Sequence, residues 1–204
     1  MKKILLIASV LMYISANAQF FQRFYGGPNN DDFLTHGINT NVLGYGHFMV
    51  GRSFTTTGNI PLMAVRTDFS SAPFPMPNYF VSNYQISLGA NNLITGLAKS
   101  FEIPAGAGTG FGVVAEISGA ANGLAYLELN PMGNVMNTYH YFTPTPGHVI
   151  SLAHVVVNDL TNTDALIVGT ITDNNFSPAQ EYPFAMSVDI ASGAINWSAY
   201  YDHF

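Results

Sequence analysis

The sequence predicts an all-β fold built from three repeated units of about 60 residues, each with four short strands. Short apolar runs rich in Val, Ile, Phe and Tyr alternate with turn-forming clusters of Asn, Asp, Gly and Pro. These runs recur at a fixed spacing along the chain, which indicates a repeat architecture. Helix caps followed by apolar residues at a helical period are hard to find, so we expect strands throughout.

Residues 1–18 differ from the rest of the chain and predict an export signal. Two lysines precede a mostly apolar run at 4–15, and Ala-Asn-Ala at 16–18 supplies the small residues that a signal peptidase requires. The run is shorter than the roughly 20 residues that span a bilayer, and we predict no transmembrane segment in the mature chain. The repeat region at 19–204 is therefore expected to be exported, and to be secreted, held on the outer cell surface or retained in the periplasm.

Each unit is expected to contain the same four strands in the same order. An opening run is followed by a run with a small residue, a run that ends in Asp or Asn, and an aromatic strand. The opening runs lie at 33–38, 93–98 and 149–157, the second runs at 48–51, 113–115 and 166–169, the third runs at 62–68, 124–130 and 184–189, and the aromatic strands at 78–80, 137–141 and 196–201. The units are therefore placed at about 26–80, 81–142 and 143–204.

The repeat region begins and ends with a similar aromatic segment. Residues 20–25 are like the strand that closes each unit, and the chain also finishes on such a strand at 196–201. In a ring of four-stranded blades, this offset allows the N-terminal closing strand at 20–25 to complete the last blade.

These features together resemble the repeats of secreted β-propeller proteins of the Bacteroidetes, which are associated with type IX secretion. The resemblance is carried by the export signal, Tyr-Gly-Gly at 25–27, Val-Gly at 50–51, the strands that end in Asp or Asn, and Asn-Trp-x-x-x-Tyr at 196–201. It implies antiparallel units of β-propeller type, about three blades of an incomplete propeller, in a structural or adhesive module without catalytic residues.

The number of units leaves three arrangements open. Propellers close with four to eight blades, and three units fall short of that number. The chain is then the N-terminal part of a longer protein, or its sheet edges are paired by self-association, or the sheets pack differently. We expect further domains or other copies of the chain among its partners.

The charge balance bears on which partners are expected. The chain has 6 Lys and Arg against 12 Asp and Glu, with no Cys. Loss of the two signal lysines leaves four basic residues against twelve acidic ones, a formal net charge of −8. Such a chain lacks the basic surface that neutralises phosphates, so we predict no nucleic-acid partner. A protein or a glycan remains as the expected ligand.

A catalytic centre is not predicted. The sequence has no Gly-x-Ser-x-Gly turn, and its six His residues show neither a His-Glu-x-x-His arrangement nor matching repeat positions. Glu116 and Glu128 lie on neighbouring predicted strands and could meet as a pair for glycoside hydrolysis. Arg52 and Arg66 occupy the matching positions one unit earlier, which favours an ion pair between adjacent blades instead. The alternative is part of a secreted carbohydrate-active hydrolase or lyase with an active site built from loops.

No cofactor site is predicted either. Calcium is the metal to consider, because acidic turns can supply oxygen ligands, but the spacing does not follow an Asp-x-Asp-x-Asp-Gly loop and Asp is also a good turn former. The calcium candidates are Asp31, Asp32, Asp159, Asp164 and Asp173. His36 and His47, which turns flank, are the histidines best suited to a metal. The glycine-rich stretch at 106–112 is interpreted as a loop between strands.

Aromatic side chains recur in the closing strands, and two interpretations of their role are open. Trp197, Tyr200 and Tyr201, together with Tyr139 and Tyr141, could stack on sugar rings. Their recurrence in successive units favours packing between blades, and that is our prediction.

Overall fold

The computed structural model describes residues 32–54, 60–68, 80–104, 109–143, 145–158 and 160–201. The predicted signal at 1–18 and the predicted closing strand at 20–25 lie outside the described residues. The described residues form an all-β fold without a helix, as the sequence predicts.

The described strands form three four-stranded antiparallel sheets and one short hairpin. Sheet 1 contains β1 (Asp32–Thr40), β2 (Gly46–Ser53), β3 (Leu62–Asp68) and β4 (Phe80–Tyr84). The hairpin of β5 (Ser87–Leu88) and β6 (Asn91–Asn92) follows. Sheet 2 contains β7 (Ile94–Ile103), β8 (Gly110–Ser118), β9 (Gly123–Leu129) and β10 (Val135–Phe142). Sheet 3 contains β11 (His148–Val157), β12 (Asp164–Asp173), β13 (Gln180–Asp189) and β14 (Ile195–Tyr200). Strand order follows the chain in every sheet, so each sheet is a meander.

Two segments differ from the sequence-based expectation. The aromatic strand of sheet 1 continues to Tyr84, four residues beyond the expected end at 80, because Phe80, Ser82 and Tyr84 alternate inward with exposed neighbours. In the glycine-rich stretch, Gly110 and the residues that follow it belong to strand β8 and are buried, so only part of the stretch connects strands.

Sheet 2 lies between the other two sheets and packs against both. Its strand β8 reads as a nearly continuous apolar run, which is typical of a strand that is buried on two faces. Val113 belongs to a core shared with sheet 1, while its neighbour Val114 belongs to a core shared with sheet 3. In the first core, Phe48 stacks on Phe111 with ring centroids 4.0 Å apart.

The pairing registers show which positions are equivalent in the three sheets. Val50, Val114 and Val168 each precede the small residue of the second strand. They lie opposite Ala64, Tyr126 and Ala185 of the third strand, respectively. The Val50 face of sheet 1 contacts sheet 2, and the Val114 face of sheet 2 contacts sheet 3. Each of these two sheets therefore offers the same face to the sheet that follows.

A tyrosine hydroxyl crosses both sheet junctions in the same way. Tyr84, opposite Leu62, donates to the carbonyl of Gly133 at 2.5 Å, and Tyr141, opposite Leu124, donates to the carbonyl of Gly193 at 2.8 Å. We call this the tyrosine–turn contact. Both glycines lie in the turn between the third and fourth strands of the following sheet, with φ of 81° and 65°. Residues with a side chain rarely adopt this conformation, and a Cβ at Gly133 would lie 2.7 Å from the Phe80 ring.

Candidate functional site: three basic side chains at the junction of the first strands

Three basic residues occupy equivalent positions on the first strands of the three sheets. Strand β7 lies against β1 and against β11. His36 of β1 pairs with Val50, Lys99 of β7 pairs with Val114, and His154 of β11 pairs with Val168. The imidazole rings of His36 and His154 have centroids 6.3 Å apart. We call these three residues the basic cluster.

The sequence did not predict this cluster, and the expectation that no histidines recur at matching positions is wrong for His36 and His154. Each first strand carries a β-bulge against its second strand, but the bulges differ. The register shifts fall between Leu34 and His36, between Thr95 and Ala98, and between Leu152 and His154. A bulge inserts residues into one strand without changing its partner, so equivalent residues no longer recur at a constant spacing.

The hydrogen bonds of His36 fix its protonation state. Its Nδ1 accepts a bond from the backbone N–H of Ser100 at 3.1 Å, and the Ser100 hydroxyl lies 3.1 Å from the same atom. A backbone N–H can only donate, so Nδ1 is unprotonated and the ring proton is on Nε2. Burial lowers the pKa of His36, and the positive charges of Lys99 and His154 lower it further. Neutral His36 therefore presents an Nε2–H donor.

In sheets 2 and 3, a backbone N–H next to the bulge of the first strand donates to a side chain of the preceding sheet. The N–H of Ala98 donates to Thr35 Oγ1 at 3.2 Å. The N–H of Leu152 donates to Glu116 Oε1 at 2.6 Å. Ala98 and Leu152 pair with Ala115 and Gly169, the small residues of the second strands, so they occupy equivalent positions. The same backbone donor is thus satisfied at both junctions, by a hydroxyl in one and by a carboxylate in the other.

The second oxygen of Glu116 binds within its own sheet. Oε2 accepts a bond from the N–H of Leu97, which lies in the bulge of β7, at 3.0 Å. A Cβ at Gly96 would lie 2.5 Å from this oxygen, so glycine leaves the space that the carboxylate occupies. The two residues whose N–H groups bind Glu116, Leu97 and Leu152, each lie two positions before a member of the basic cluster. Both carboxylate oxygens of Glu116 are engaged by these N–H groups.

The carboxylate pair that the sequence left open as an alternative does not form. Glu116 is paired with Leu124 and Glu128 with Gly112, so the two acids are four ladder positions apart on the same face. At about 3.3 Å per residue this is about 13 Å, beyond the range of both glycosidase geometries. Glu128 instead accepts a bond from the side-chain amide of Asn137 at 2.6 Å.

The predicted ion pair between adjacent blades is also wrong. Glu116 instead accepts bonds from the backbone N–H groups of Leu97, in the bulge of β7, and of Leu152. The Arg52 guanidinium lies over the rings of Phe33 and Phe54, 5.9 and 5.0 Å from their centroids. Arg66 is fully buried and donates to the carbonyls of Val42 and Gly44.

The calcium candidates within the described residues are dispersed. Asp164 and Asp173 are the first and last residues of β12, about 30 Å apart at the usual rise per residue. Asp173 accepts a bond from the N–H of Asn175 at 2.9 Å and lies 3.1 Å from Nε2 of His148. The Asn175 N–H and His148 hold the pKa of Asp173 below its usual value.

The remaining metal candidates do not add a site. Asp32 begins β1 in sheet 1, while Asp31 and Asp159 lie outside the described residues. His47 pairs with Asn39, three ladder positions from His36. Across the described part of the chain, no three His, Cys, Asp or Glu side chains are grouped so that they could hold a metal ion.

The aromatic side chains follow the predicted packing in sheet 2 but not in sheet 3. Tyr139 stacks on Tyr126 with centroids 5.6 Å apart, and Tyr141 makes the tyrosine–turn contact to sheet 3. Trp197, Tyr200 and Tyr201 are 49%, 68% and 58% exposed. No described sheet follows sheet 3, so the predicted packing between units is not seen for these three side chains.

The neutral state of His36 gives a testable pH dependence. The folded pKa is lowered from about 6.5, so the unfolded chain binds a proton first and stability should fall as the pH drops from about 7 through the lowered pKa. In His36→Asn the amide oxygen still accepts the Ser100 N–H bond but does not titrate. Urea unfolding between pH 8 and 5 should show a flatter pH dependence for this variant. His140, whose pKa burial also lowers, supplies the comparison variant His140→Asn, and a slope unchanged by His36→Asn would contradict the assignment.

Comparison with known proteins gives no relative: no protein-family model, no curated protein and no solved structure matches this chain. Within the described ranges, no helix has the length and apolar character needed to cross a membrane.

Proposed function

We propose that this chain is an exported, non-enzymatic β-propeller-type repeat module that binds a carboxylate-bearing ligand at its basic cluster. The observation that carries this proposal is the convergence of His36, Lys99 and His154 from equivalent positions of three successive sheets. Export is supported by the charged and apolar pattern of residues 1–18. The resemblance to secreted Bacteroidetes repeat proteins agrees with a role in binding or adhesion outside the cell.

The propeller-type arrangement is supported by how the sheets succeed one another. Each sheet is a four-stranded meander, and its first strand lies beside the first strand of the next sheet. Blades of a propeller have this order, with the first strands around a central axis. In such an arrangement a side chain at one repeat position meets its equivalents near the axis, and the convergence of the basic cluster agrees with that expectation.

A non-enzymatic role is supported by what the candidate groups contact. Glu116 holds two backbone N–H groups, Glu128 holds Asn137, and His148 holds Asp173. These contacts engage the acids and the histidine in structural bonds, whereas catalysis requires a positioned group that can reach a substrate.

The position of Lys99, in a chain that has few cationic residues, supports anion binding. The chain carries a net charge of −6, and Lys99 is its one lysine beyond residue 3. That lysine is placed beside two histidines at the junction of the first strands. A carboxylate there would accept bonds from the Lys99 ammonium and from the Nε2–H of His36, and a bound negative charge would raise the pKa of His36. Charge-assisted bonds of this kind are the stronger ones in proteins.

Citrate and inorganic phosphate serve as probes in isothermal titration calorimetry of the full chain. We expect citrate to bind more tightly as the pH falls from 8 to 6, because a bound negative charge would raise the pKa of His36. Lys99→Gln should weaken binding about ten- to hundredfold, since removing a charged partner of a hydrogen bond costs about 1.5–3 kcal/mol. His154→Gln should also weaken binding, because it removes one member of the basic cluster.

His140→Gln is the matched control, because His140 lies on the fourth strand of sheet 2 and not on a first strand. Its citrate affinity should equal that of the unchanged chain. Failure of both probes to bind, or equal affinities for Lys99→Gln and His140→Gln, would rule out an anion site at the basic cluster.

A further inference from the structure

The face of sheet 3 that carries Val168 is equivalent to the Val50 face of sheet 1 and the Val114 face of sheet 2, which are both buried. Val50 and Val114, its equivalents, are both 0% exposed because a following sheet covers them. On the Val168 side, by contrast, Val156 is 45% exposed and Trp197 is 49% exposed. We call this side of sheet 3 the terminal face.

Pairing between strands brings apolar residues together on the terminal face. Val156 pairs with Leu166, Val168 pairs with Ala185, and Trp197 pairs with Ser187, which itself pairs with Leu166. Residues two apart along a strand lie on the same face, so Leu166 and Val168 share it with their partners. The result is a mainly apolar surface across the four strands of sheet 3, which also carries His154 opposite Val168 and the buried Ser187. Contiguous exposed apolar patches of this kind mark interaction sites.

Tyr201 occupies the position of the tyrosine–turn contact in this sheet. Its N–H donates to the carbonyl of Pro183 at 2.9 Å, which continues the pairing of β13 and β14 by one residue. Pro183 is two residues before the partner of Val168, as Leu62 and Leu124 are two residues before the partners of Val50 and Val114. Tyr201 is therefore equivalent to Tyr84 and Tyr141.

The hydroxyls of Tyr84 and Tyr141 donate hydrogen bonds to the following sheet, whereas Tyr201 is exposed. Tyr84 and Tyr141 each donate to a turn glycine of the next sheet, and burial raises the pKa of both. Tyr201 is 58% exposed, and its hydroxyl makes no hydrogen bond to the described part of the chain. Sheet 3 thus presents both halves of the repeated junction, the apolar face and the tyrosine donor.

We propose that the terminal face docks a further four-stranded sheet of the same repeat type, carried by a partner polypeptide, whose turn between its third and fourth strands has a glycine that accepts the Tyr201 hydroxyl. The inference rests on the proposed repeat-module function and names the kind of partner that this module takes. Continuity with two established junctions carries it, since the same face and the same tyrosine bind the next sheet at both.

A second copy of this chain is not the partner that the face fits. The sheet that a second copy would offer in head-to-tail order is sheet 1, and its connection between β3 and β4 spans residues 69–79 without a glycine. The turn glycines of sheets 2 and 3, Gly133 and Gly193, have positive φ and lie directly against aromatic rings of the preceding sheet. A connection without a glycine lacks the residue type that adopts this conformation against the ring at both junctions.

Trp197 makes this proposal directly measurable, because it is the one tryptophan in the chain and lies on the terminal face. The probe is the full chain extended after residue 204 by a second copy of residues 143–204, in which the copied tryptophan is replaced by phenylalanine. The appended sheet carries its own copy of the Gly193 turn. We expect the emission of Trp197 to move to shorter wavelength and its quenching by acrylamide to fall by about half or more, as a half-exposed indole becomes buried.

Two matched variants of the extended chain test the location. Val156→Asp places a charge in the terminal face and should restore the exposed emission of Trp197, because an unpaired charge is costly to bury. Val135→Asp, on the fourth strand of sheet 2 with a similar exposure of 42%, should leave the emission shift intact. Tyr201→Phe should retain part of the shift and reduce the stability of the docked sheet.

Binding of an apolar dye to the unextended chain is the second measurement and does not depend on folding of the appended copy. Dye fluorescence should fall in Val156→Asp and stay unchanged in Val135→Asp. Equal dye binding by the two variants, or an unchanged Trp197 emission in a folded extended chain, would overturn the proposal. A concentration-dependent emission shift of the unextended chain would assign the face to a second copy and overturn the partner assignment. Citrate binding that persists in these cases would leave the proposed function standing.

Discussion

Phe111→Ala should lower the free energy of unfolding by about 3–5 kcal/mol. Phe111 is 0% exposed and stacks on Phe48 at the centre of the core between sheets 1 and 2, with an interplanar angle of 9°. Truncation removes the transfer free energy of the ring and leaves a cavity between two sheets that can collapse only in part. Urea unfolding followed by circular dichroism measures the change.

Phe142→Ala is the control for this variant, because Phe142 is also a phenylalanine of sheet 2 but is 42% exposed. It should cost about 1 kcal/mol or less, since little of its surface leaves water on folding. Equal destabilisation by the two variants would show that the core between sheets 1 and 2 does not carry the stability that its packing indicates.

Glu116→Ala should lower the free energy of unfolding by about 2–4 kcal/mol, because two backbone donors lose a charged acceptor. The donors are the N–H groups of Leu97 and Leu152, at 3.0 and 2.6 Å. One belongs to the bulge of sheet 2 and the other to sheet 3, so the substitution also removes a bond across the junction. Thermal and urea unfolding measure the effect.

Glu128→Ala provides the matched control on the neighbouring strand, where the carboxylate binds one side-chain amide in an exposed setting. It should change the free energy of unfolding by about 0.5 kcal/mol or less. Gly96→Ala should resemble Glu116→Ala in direction, because the added methyl would occupy the space of the carboxylate. A Glu116→Ala variant as stable as Glu128→Ala would contradict the bridging role of Glu116.

Strand positions could be predicted from the sequence because their signals are local. Apolar runs bounded by turn residues mark β2, β8 and β12, and the small residues Gly51, Ala115 and Gly169 keep these strands in a common register. The four-stranded antiparallel units follow from that pattern. The ring arrangement of a propeller depends on angles between sheets, which no local pattern encodes, and it stays a proposal.

The candidate site could not be predicted, since its residues depend on bulges. His36, Lys99 and His154 are equivalent only when each is matched to its partner across the first two strands. The extra residues of the bulges hide this match in a comparison by spacing. The bonds of Glu116 were missed because the β7 bulge that contains Leu97 is not visible in the chain, and because the Leu152 donor belongs to another sheet.

Exposure of the last aromatic strand is likewise a property of neighbours and not of sequence. Tyr141 and Tyr201 have the same place in their sheets, yet one is bonded to the next sheet and the other is open to solvent. A repeat position predicts the contact that a residue is able to make. Whether the contact forms depends on whether another sheet packs against the one that carries the residue.

The central place of sheet 2 has a consequence for how the chain opens. Sheet 2 shares an apolar interface with each of its neighbours, whereas sheet 1 and sheet 3 each share one with sheet 2 alone among the described sheets. In a linear array, local opening is least costly for the unit with fewest interfaces. Sheet 1 or sheet 3 can therefore separate while the other two described sheets stay folded together, but the loss of sheet 2 removes both junctions at once. Each of the three sheets carries one member of the basic cluster, so opening of any one of them takes the cluster apart.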